Sequence, residues 1–172
     1  EAHEYLTRLK ETLQFAGVSE CDMERGSLRC DVNVSLHRPG TPWGTRAELK
    51  NLNSFKNVVA AIEHERARQG AELEAGRRVR QETRLWDPER AETRTLRTKE
   101  NEEDYRYFPD PDLPPLVLDE ATLERVRAEL PELPAARRAR WQRDFGLTPY
   151  DAGVLSASRA LADFFEETVH LS

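Results

Sequence analysis

Cysteine is nearly absent, with only Cys21 and Cys30 in 172 residues. They stand nine apart and in no metal spacing, which excludes both a disulfide framework and a zinc site. Cys30 is expected to be a buried thiol. No apolar run approaches the ~18 residues that a membrane helix needs, and Glu1-Ala2-His3-Glu4 has neither the cationic nor the apolar region of a signal peptide, so a cytoplasmic protein is expected. There is no Walker-type glycine-rich loop, which excludes a standard P-loop NTPase. The four histidines, at 3, 37, 64 and 170, share no ligand spacing and are expected at the surface. No Ser-His-Asp order or Cys-His pair supports nucleophilic catalysis. Methionine occurs once, at Met23, and the chain opens on a helical pattern, as expected for a segment of a longer protein.

What is present is charge. Acidic residues exceed basic ones by 32 to 26, a net charge of −6, and charged residues make up 34 % of the chain. Three Trp, four Tyr and six Phe, together with periodic Leu and Val, nevertheless supply a core and argue against disorder. The length accommodates one compact domain or two small ones.

Periodicity predicts an α+β fold. Leu6, Leu9, Leu13 and Ala16 recur at helical spacing, with Gly17 where a C-cap belongs. Residues 27–37 alternate, with Leu28, Cys30, Val32, Val34 and Leu36 on one face and Arg29, Asp31, Asn33 and Ser35 on the other. A Pro/Gly-rich connection follows, and residues 45–50 alternate again. If the two strands pair antiparallel over a common core, Arg29, Asp31, Asn33, Arg46, Glu48 and Lys50 share one polar surface. Asn53 or Ser54 would cap a helix to about Ala75, with Phe55, Val58, Val59, Ile62, Ala67, Ala71 and Leu73 as its buried stripe. Residues 80–86 and 93–99 read as a polar hairpin. Residues 105–115 contain four prolines and are expected to be extended. From Asp119 on, helix formers dominate: a first helix with stripe Leu123, Val126 and Leu130, a second over about 135–145, a third opening at Thr148-Pro149, and a last from about Ser158. A boundary is expected near residue 118, dividing a mixed sheet-and-helix part, 1–118, from a helical part, 119–172.

Two groups of residues carry possible chemistry. Asp31 and Glu48 on facing strands are oxygen ligands suited to a hard cation such as Mg²⁺, or else ordinary acids of a solvated face. Arg29, Arg46 and Lys50 on that face suit phosphate oxygens, or else simply neutralise the two acids. The run Arg137-Arg138-Ala139-Arg140-Trp141-Gln142-Arg143 is basic with one aromatic, suited to an RNA backbone or to pairing with nearby glutamates. Tyr105, Tyr107 and Phe108 either stack bases or pin a loop.

Four motifs in series, Gly26-Ser27-Leu28-Arg29-Cys30-Asp31-Val32-Asn33-Val34-Ser35, Glu48-Leu49-Lys50-Asn51-Leu52-Asn53-Ser54-Phe55, Gln81-Glu82-Thr83-Arg84 and Asp104-Tyr105-Arg106-Tyr107-Phe108-Pro109-Asp110-Pro111-Asp112-Leu113-Pro114-Pro115, closely resemble GatB, the B component of the tRNA-dependent amidotransferases, the three-component GatCAB enzymes. The likeness continues through Pro131-Glu132-Leu133-Pro134 and Asp163-Phe164-Phe165-Glu166 to the end of the chain. The resemblance implies a role in amidating Glu-tRNA(Gln) or Asp-tRNA(Asn). ATP with Mg²⁺ would phosphorylate the amino acid's side-chain carboxylate, and ammonia released from glutamine by the glutaminase GatA would displace the phosphate. It implies the amidotransferase components GatA and GatC and mischarged tRNA as partners, with neither membrane nor DNA among them. It implies Asp31 and Glu48 as Mg²⁺ ligands in the phosphorylation pocket of a cradle domain. Arg29, Asn33, Lys50 and Asn51 are then neighbouring candidates for ATP or substrate contact, and Arg137, Arg138 and Arg140 for tRNA contact at the start of a helical domain. The segment 104–115 is given no catalytic role. The family's other metal ligands, a His and several Glu, lie in strands absent from these 172 residues, so the chain alone is expected to be inactive. A non-catalytic tRNA-binding or scaffold module and a free-standing phosphotransferase are the other classes considered.

Overall fold

A computed structural model describes residues 1–98 and 111–171. The fold is α+β: six helices and a four-stranded mixed sheet among the described residues. The chain forms two compact units, 1–7 with 21–103 and 8–20 with 104–172.

In the first unit, β1 (Val32–Val34) pairs antiparallel with β2 (Ala47–Lys50), and β2 pairs parallel with β3 (Glu82–Asp87). β3 then pairs antiparallel with β4 (Glu92–Thr98), giving the order β1-β2-β3-β4. A parallel neighbour requires a crossover, and α2 (Phe55–Glu74) supplies it between β2 and β3. The Ser54 hydroxyl caps this helix by accepting the Asn57 amide. The core under the sheet contains Leu6, Leu49, Leu52, Val58, Ala61 and Trp86, with Val32, Val34 and Phe55 packed against it.

Several expectations need correction. The alternating stretch 27–37 is a strand only at Val32–Val34. Before it, Asp22 ties a turn by accepting the Glu24 and Arg25 amides on its side chain and the Ser27 amide on its carbonyl. Such local capping competes with a ladder. The connection 38–44 brings the backbone at Gly44 so close to Leu36 that a Cβ would stand 2.1 Å from the Leu36 carbonyl oxygen, so only glycine fits. Cys30 is half-buried; the fully buried thiol is Cys21. His64 is not a surface residue but is half-buried, edge-on to Trp86.

The buried stripe of α2 also departs from the apolar pattern. The buried positions are Val58, Ala61, Glu65 and Gln69, while Val59 and Leu73 are exposed. These four keep helical spacing, but in the second half of the helix the stripe turns polar.

The second unit contains residues 8–15 of α1 (Ala2–Phe15), α3 (Glu120–Glu129), α4 (Pro134–Asp144), α5 (Pro149–Leu155) and α6 (Arg159–His170). Asp119, Thr148 and Ser158 each cap the following helix through a side-chain oxygen. The core here is Phe15, Trp141, Ala152 and Ala162, with Phe145 and Phe165 against it. The expected stripe of α3 is not buried: Val126 and Leu130 are about half-exposed, and no residue of that helix is buried. In the proline-rich segment, residues 104–110 lie outside the described residues, as does Lys99 at the end of the expected hairpin.

Candidate functional site

The register of the sheet assembles the polar surface. Asn33 on β1 lies opposite Glu48 on β2, and Glu48 is the parallel partner of Thr83 on β3. Alternation places Lys50 on the same face as Glu48. The Lys50 ammonium donates to Asp31 Oδ2 at 2.7 Å and lies 3.4 Å from Glu48 Oε1. Thr83 Oγ1 donates to Glu48 Oε2 at 2.8 Å, which fixes the carboxylate from the other side. The hydrogen bond to Asp31 does most to raise the Lys50 pKa; burial opposes it, and the fields of Asp31 and Glu48 add to the rise. Side-chain exposure grades across the group: 18 % for Glu48, 31 % for Lys50 and 54 % for Asp31. The group is therefore anchored at Glu48 and open at Asp31.

Two carboxylates converging on one ammonium offer the hard oxygen donors that Mg²⁺ takes, and in number they fit part of its shell. Among the described residues no group of three or more His, Cys, Asp or Glu side chains forms a complete cation site.

The other candidates are less concentrated. Arg29 is exposed, and its guanidinium lies beside Gly26, within 3.8 Å of where a Cβ would stand. Arg46 is exposed just ahead of β2. Asn51 follows β2 at φ +67°, a left-handed conformation that Asn tolerates. Its side-chain amide donates to the Trp86 carbonyl at 2.9 Å, so it closes the end of the β2–β3 pair.

The opposite face of the sheet holds a polar network that sequence reading did not find. Glu65 and Gln69 of α2 are both 0 % exposed. Arg68 grips Glu65 with two hydrogen bonds, at 2.9 and 2.6 Å, and Gln69 Nε2 donates to it at 2.8 Å. Arg84 of β3 lies 3.5 Å from the same carboxylate and donates to Glu82, to the Thr93 hydroxyl and to the Thr93 carbonyl. Thr95 donates to Glu82 at 2.9 Å. Burial alone would push the Glu65 carboxyl up, but the hydrogen bonds from Arg68 and Gln69 and the charges of Arg68 and Arg84 hold it below its usual value. The available signals were the continued 58-61-65-69 spacing and the Gln81-Glu82-Thr83-Arg84 motif, whose Glu and Arg both belong to the network.

The basic run on α4 is paired rather than bare. Arg137 is buried, and its guanidinium donates to Asp163 at 2.7 Å and to Glu166 at 2.5 Å. Arg138 donates to the Ser156 hydroxyl and to Glu11. Arg140 pairs with Glu132 and Glu166. Glu166 also accepts Trp141 Nε1 at 2.7 Å. Against the effect of burial, these donors lower its pKa to about 2.

Residues 1–124 match the GatB/GatE catalytic domain family. Over its whole length the chain is 54 % identical to a Prosthecochloris aestuarii protein named as the B component of aspartyl/glutamyl-tRNA(Asn/Gln) amidotransferase, of which it covers 36 %. Proteins of the same name from Carboxydothermus hydrogenoformans and Methylorubrum extorquens are 55 % and 56 % identical over 97 % and 96 % of the chain, which covers 35 % and 34 % of them. The chain thus spans about a third of the length of the curated relatives it matches. With a match that includes the whole sheet and both carboxylates on its polar face, the chain belongs to the GatB/GatE catalytic domain family.

Proposed function

We propose that this chain supplies one wall of a pocket in which the side-chain carboxylate of Glu-tRNA(Gln) or Asp-tRNA(Asn) is phosphorylated at the expense of ATP, before ammonia from a glutaminase partner converts it to the amide. The observation that carries the reading is the convergence of Asp31 and Glu48 on the Lys50 ammonium at an open sheet face. The family membership and the names of the relatives support the amidation step. We take residues 1–118 as cradle domain and 119–172 as the start of a helical domain.

The chemistry needs activation because a carboxylate does not yield an amide with ammonia at neutral pH. An acyl phosphate does: the carboxylate oxygen attacks the γ-phosphorus, ADP leaves, and phosphate later departs as ammonia bonds to the carbonyl carbon. Such a transfer asks the protein for positioning and charge neutralisation. Mg²⁺, when bound, would screen the phosphate charge. Asp31 and Glu48 would hold it from this wall, with Thr83 orienting Glu48. Lys50 is a compact cation able to turn from the two carboxylates to a phosphoryl oxygen. Arg29 and Asn33 are exposed at the same edge and could meet nucleotide or substrate. Asn51 is committed to the Trp86 carbonyl, so its part is to hold the strand end.

In the assembled complex, Lys50→Met should lower the rate of tRNA-dependent ATP cleavage at least tenfold while leaving tRNA binding intact. An unchanged rate would remove Lys50 from the pocket.

The second reading is tRNA contact by Arg137, Arg138 and Arg140. Their carboxylate partners favour an architectural role, and contact with a phosphate backbone would require exchanging those pairs. Replacing the three, individually and together, and measuring tRNA affinity decides it. Unchanged affinity in a folded variant removes the idea.

A further inference from the structure

β1 is three residues long and lies at the edge of the sheet, yet Asp31, immediately before it, is half of the carboxylate pair. A strand this short has few ladder hydrogen bonds to β2, and its other edge has no strand beside it among the described residues. What meets that edge is a side chain. Gln69 Nε2 donates to the Val34 carbonyl at 3.0 Å, and Gln69 Oε1 accepts the Leu36 amide at 3.1 Å. Donation to one residue and acceptance from the residue two further on is the pattern of a parallel β partner. The Gln69 carboxamide therefore stands in for the N–H and C=O of one residue of a missing neighbour strand.

Its orientation is fixed from behind. The second Nε2 hydrogen goes to Glu65 Oε1 at 2.8 Å, so a flipped amide would put its oxygen against both a carboxylate and a carbonyl. Glu65 is in turn held by the Arg68 fork and approached by Arg84, which binds Glu82 and Thr93. The chain of contacts runs from β3 and β4 through α2 to the outer edge of β1. Glu65, Gln69, Glu82, Arg84 and Thr93 are buried and Arg68 is half-buried, where such bonds are strong and costly to leave unmade.

We propose that Gln69 is a positioning residue: by completing the outer edge of β1 it holds Asp31 at its place beside Lys50 and Glu48. This deepens the pocket reading given above and rests on it. Glu65, Arg68 and Arg84 act one step further back, by fixing the Gln69 amide.

The test uses the full-length protein in its assembled complex. Gln69→Met keeps the volume and removes both hydrogen-bonding groups. Hydrogen exchange is expected to rise at least tenfold in the segment 31–36, with wild-type protection retained in α2 and β3. The Mg²⁺ concentration giving half-maximal phosphorylation should rise about tenfold, the scale seen when an outer partner of a metal ligand is removed. A smaller folded fraction lowers the maximal rate but does not move that concentration. In an Asp31→Asn background, where phosphorylation is expected to be lost, Gln69→Met should still raise exchange in 31–36. Gln69→Glu, which keeps an acceptor for the Leu36 amide but turns a carboxylate oxygen toward Glu65 and the Val34 carbonyl, serves as the second variant and should give a shift in the same direction at least as large. Wild-type exchange in 31–36 together with wild-type Mg²⁺ dependence in the Gln69 variants would overturn the proposal. If Asp31→Asn alone leaves the Mg²⁺ dependence unchanged, the metal reading of Asp31 falls and the functional half of the proposal with it. The exchange measurement then still decides whether Gln69 anchors β1.

Discussion

Replacing Glu65 by Gln removes one negative charge from a site with no exposure to solvent and leaves the side chain's shape intact. Two guanidinium groups lose their shared partner: Arg68, bound at 2.9 and 2.6 Å, and Arg84, at 3.5 Å. One of the two carboxylate oxygens becomes an NH₂, which turns a donor toward donors. Breaking a buried ion pair by neutralising one side costs about 3–5 kcal/mol. The lower end applies here, because Glu82 still accepts from Arg84 at 2.5 Å and lies 3.8 Å from Arg68, whose side chain is 22 % exposed. A loss of about 3 kcal/mol corresponds to roughly a hundredfold fall in protection. The assay is native-state hydrogen exchange of the slowest α2 amides, which reports this unit separately from the other. The same variant has a pH signature. The Glu65 carboxyl is held below its ordinary 4.5, so its stabilising effect is complete above that value and is lost as pH falls below it. Glu65→Gln should therefore flatten the acid loss of α2 protection as well as lower its plateau at neutral pH. A change under about fivefold at pH 7, or an undiminished acid slope, would refute the account of the network.

In the second unit, Trp141→Ala empties the centre of its core and removes the indole donor to Glu166, and should destabilise that unit by about 4 kcal/mol in urea unfolding. Glu166, with a pKa of about 2 against an ordinary 4.5, contributes stability that is present above about 4.5 and disappears as pH falls toward 2. Glu166→Gln should erase that part of the acid transition in a circular dichroism titration. Gly44→Ala should cost about 2 kcal/mol, because the added Cβ meets the Leu36 carbonyl and the connection into β2 must shift. A melting temperature equal to wild type would show that the connection yields freely.

How far the sequence spoke depended on whether its signals were local. Ser54, Asp119, Thr148 and Ser158 were legible as helix starts because a cap is a short-range event between a side chain and an amide two or three residues on. The shared face of Asp31, Glu48 and Lys50 was legible from alternation, since pairing two alternating strands leaves little choice of facing. The length of β1 was not: Asp22 and Ser27 close a turn that takes residues 27–30 out of the ladder, and nothing in the alternation announces it. Glu65 and Gln69 were missed because a search for an apolar stripe passes over them. Their burial depends on Arg84, Glu82 and Thr93, which are brought in from other strands. For the arginines of α4, pairing with nearby glutamates was one of two readings; Glu132, eight positions from Arg140, fits it, whereas the partners Glu11, Asp163 and Glu166 lie 26 or more positions away and were not legible.

The central claim is that Asp31 and Glu48 form one wall of a metal-dependent phosphorylation pocket. The most direct measurement compares wild type with Asp31→Asn and Glu48→Gln in the full-length protein, assembled with its partners, following transfer of the γ-phosphate of ATP in the presence of mischarged tRNA. The account predicts that both variants lose phosphorylation while the complex still binds tRNA and hydrolyses glutamine. Phosphorylation at the wild-type rate in both would make the two carboxylates partners of Lys50 and nothing more.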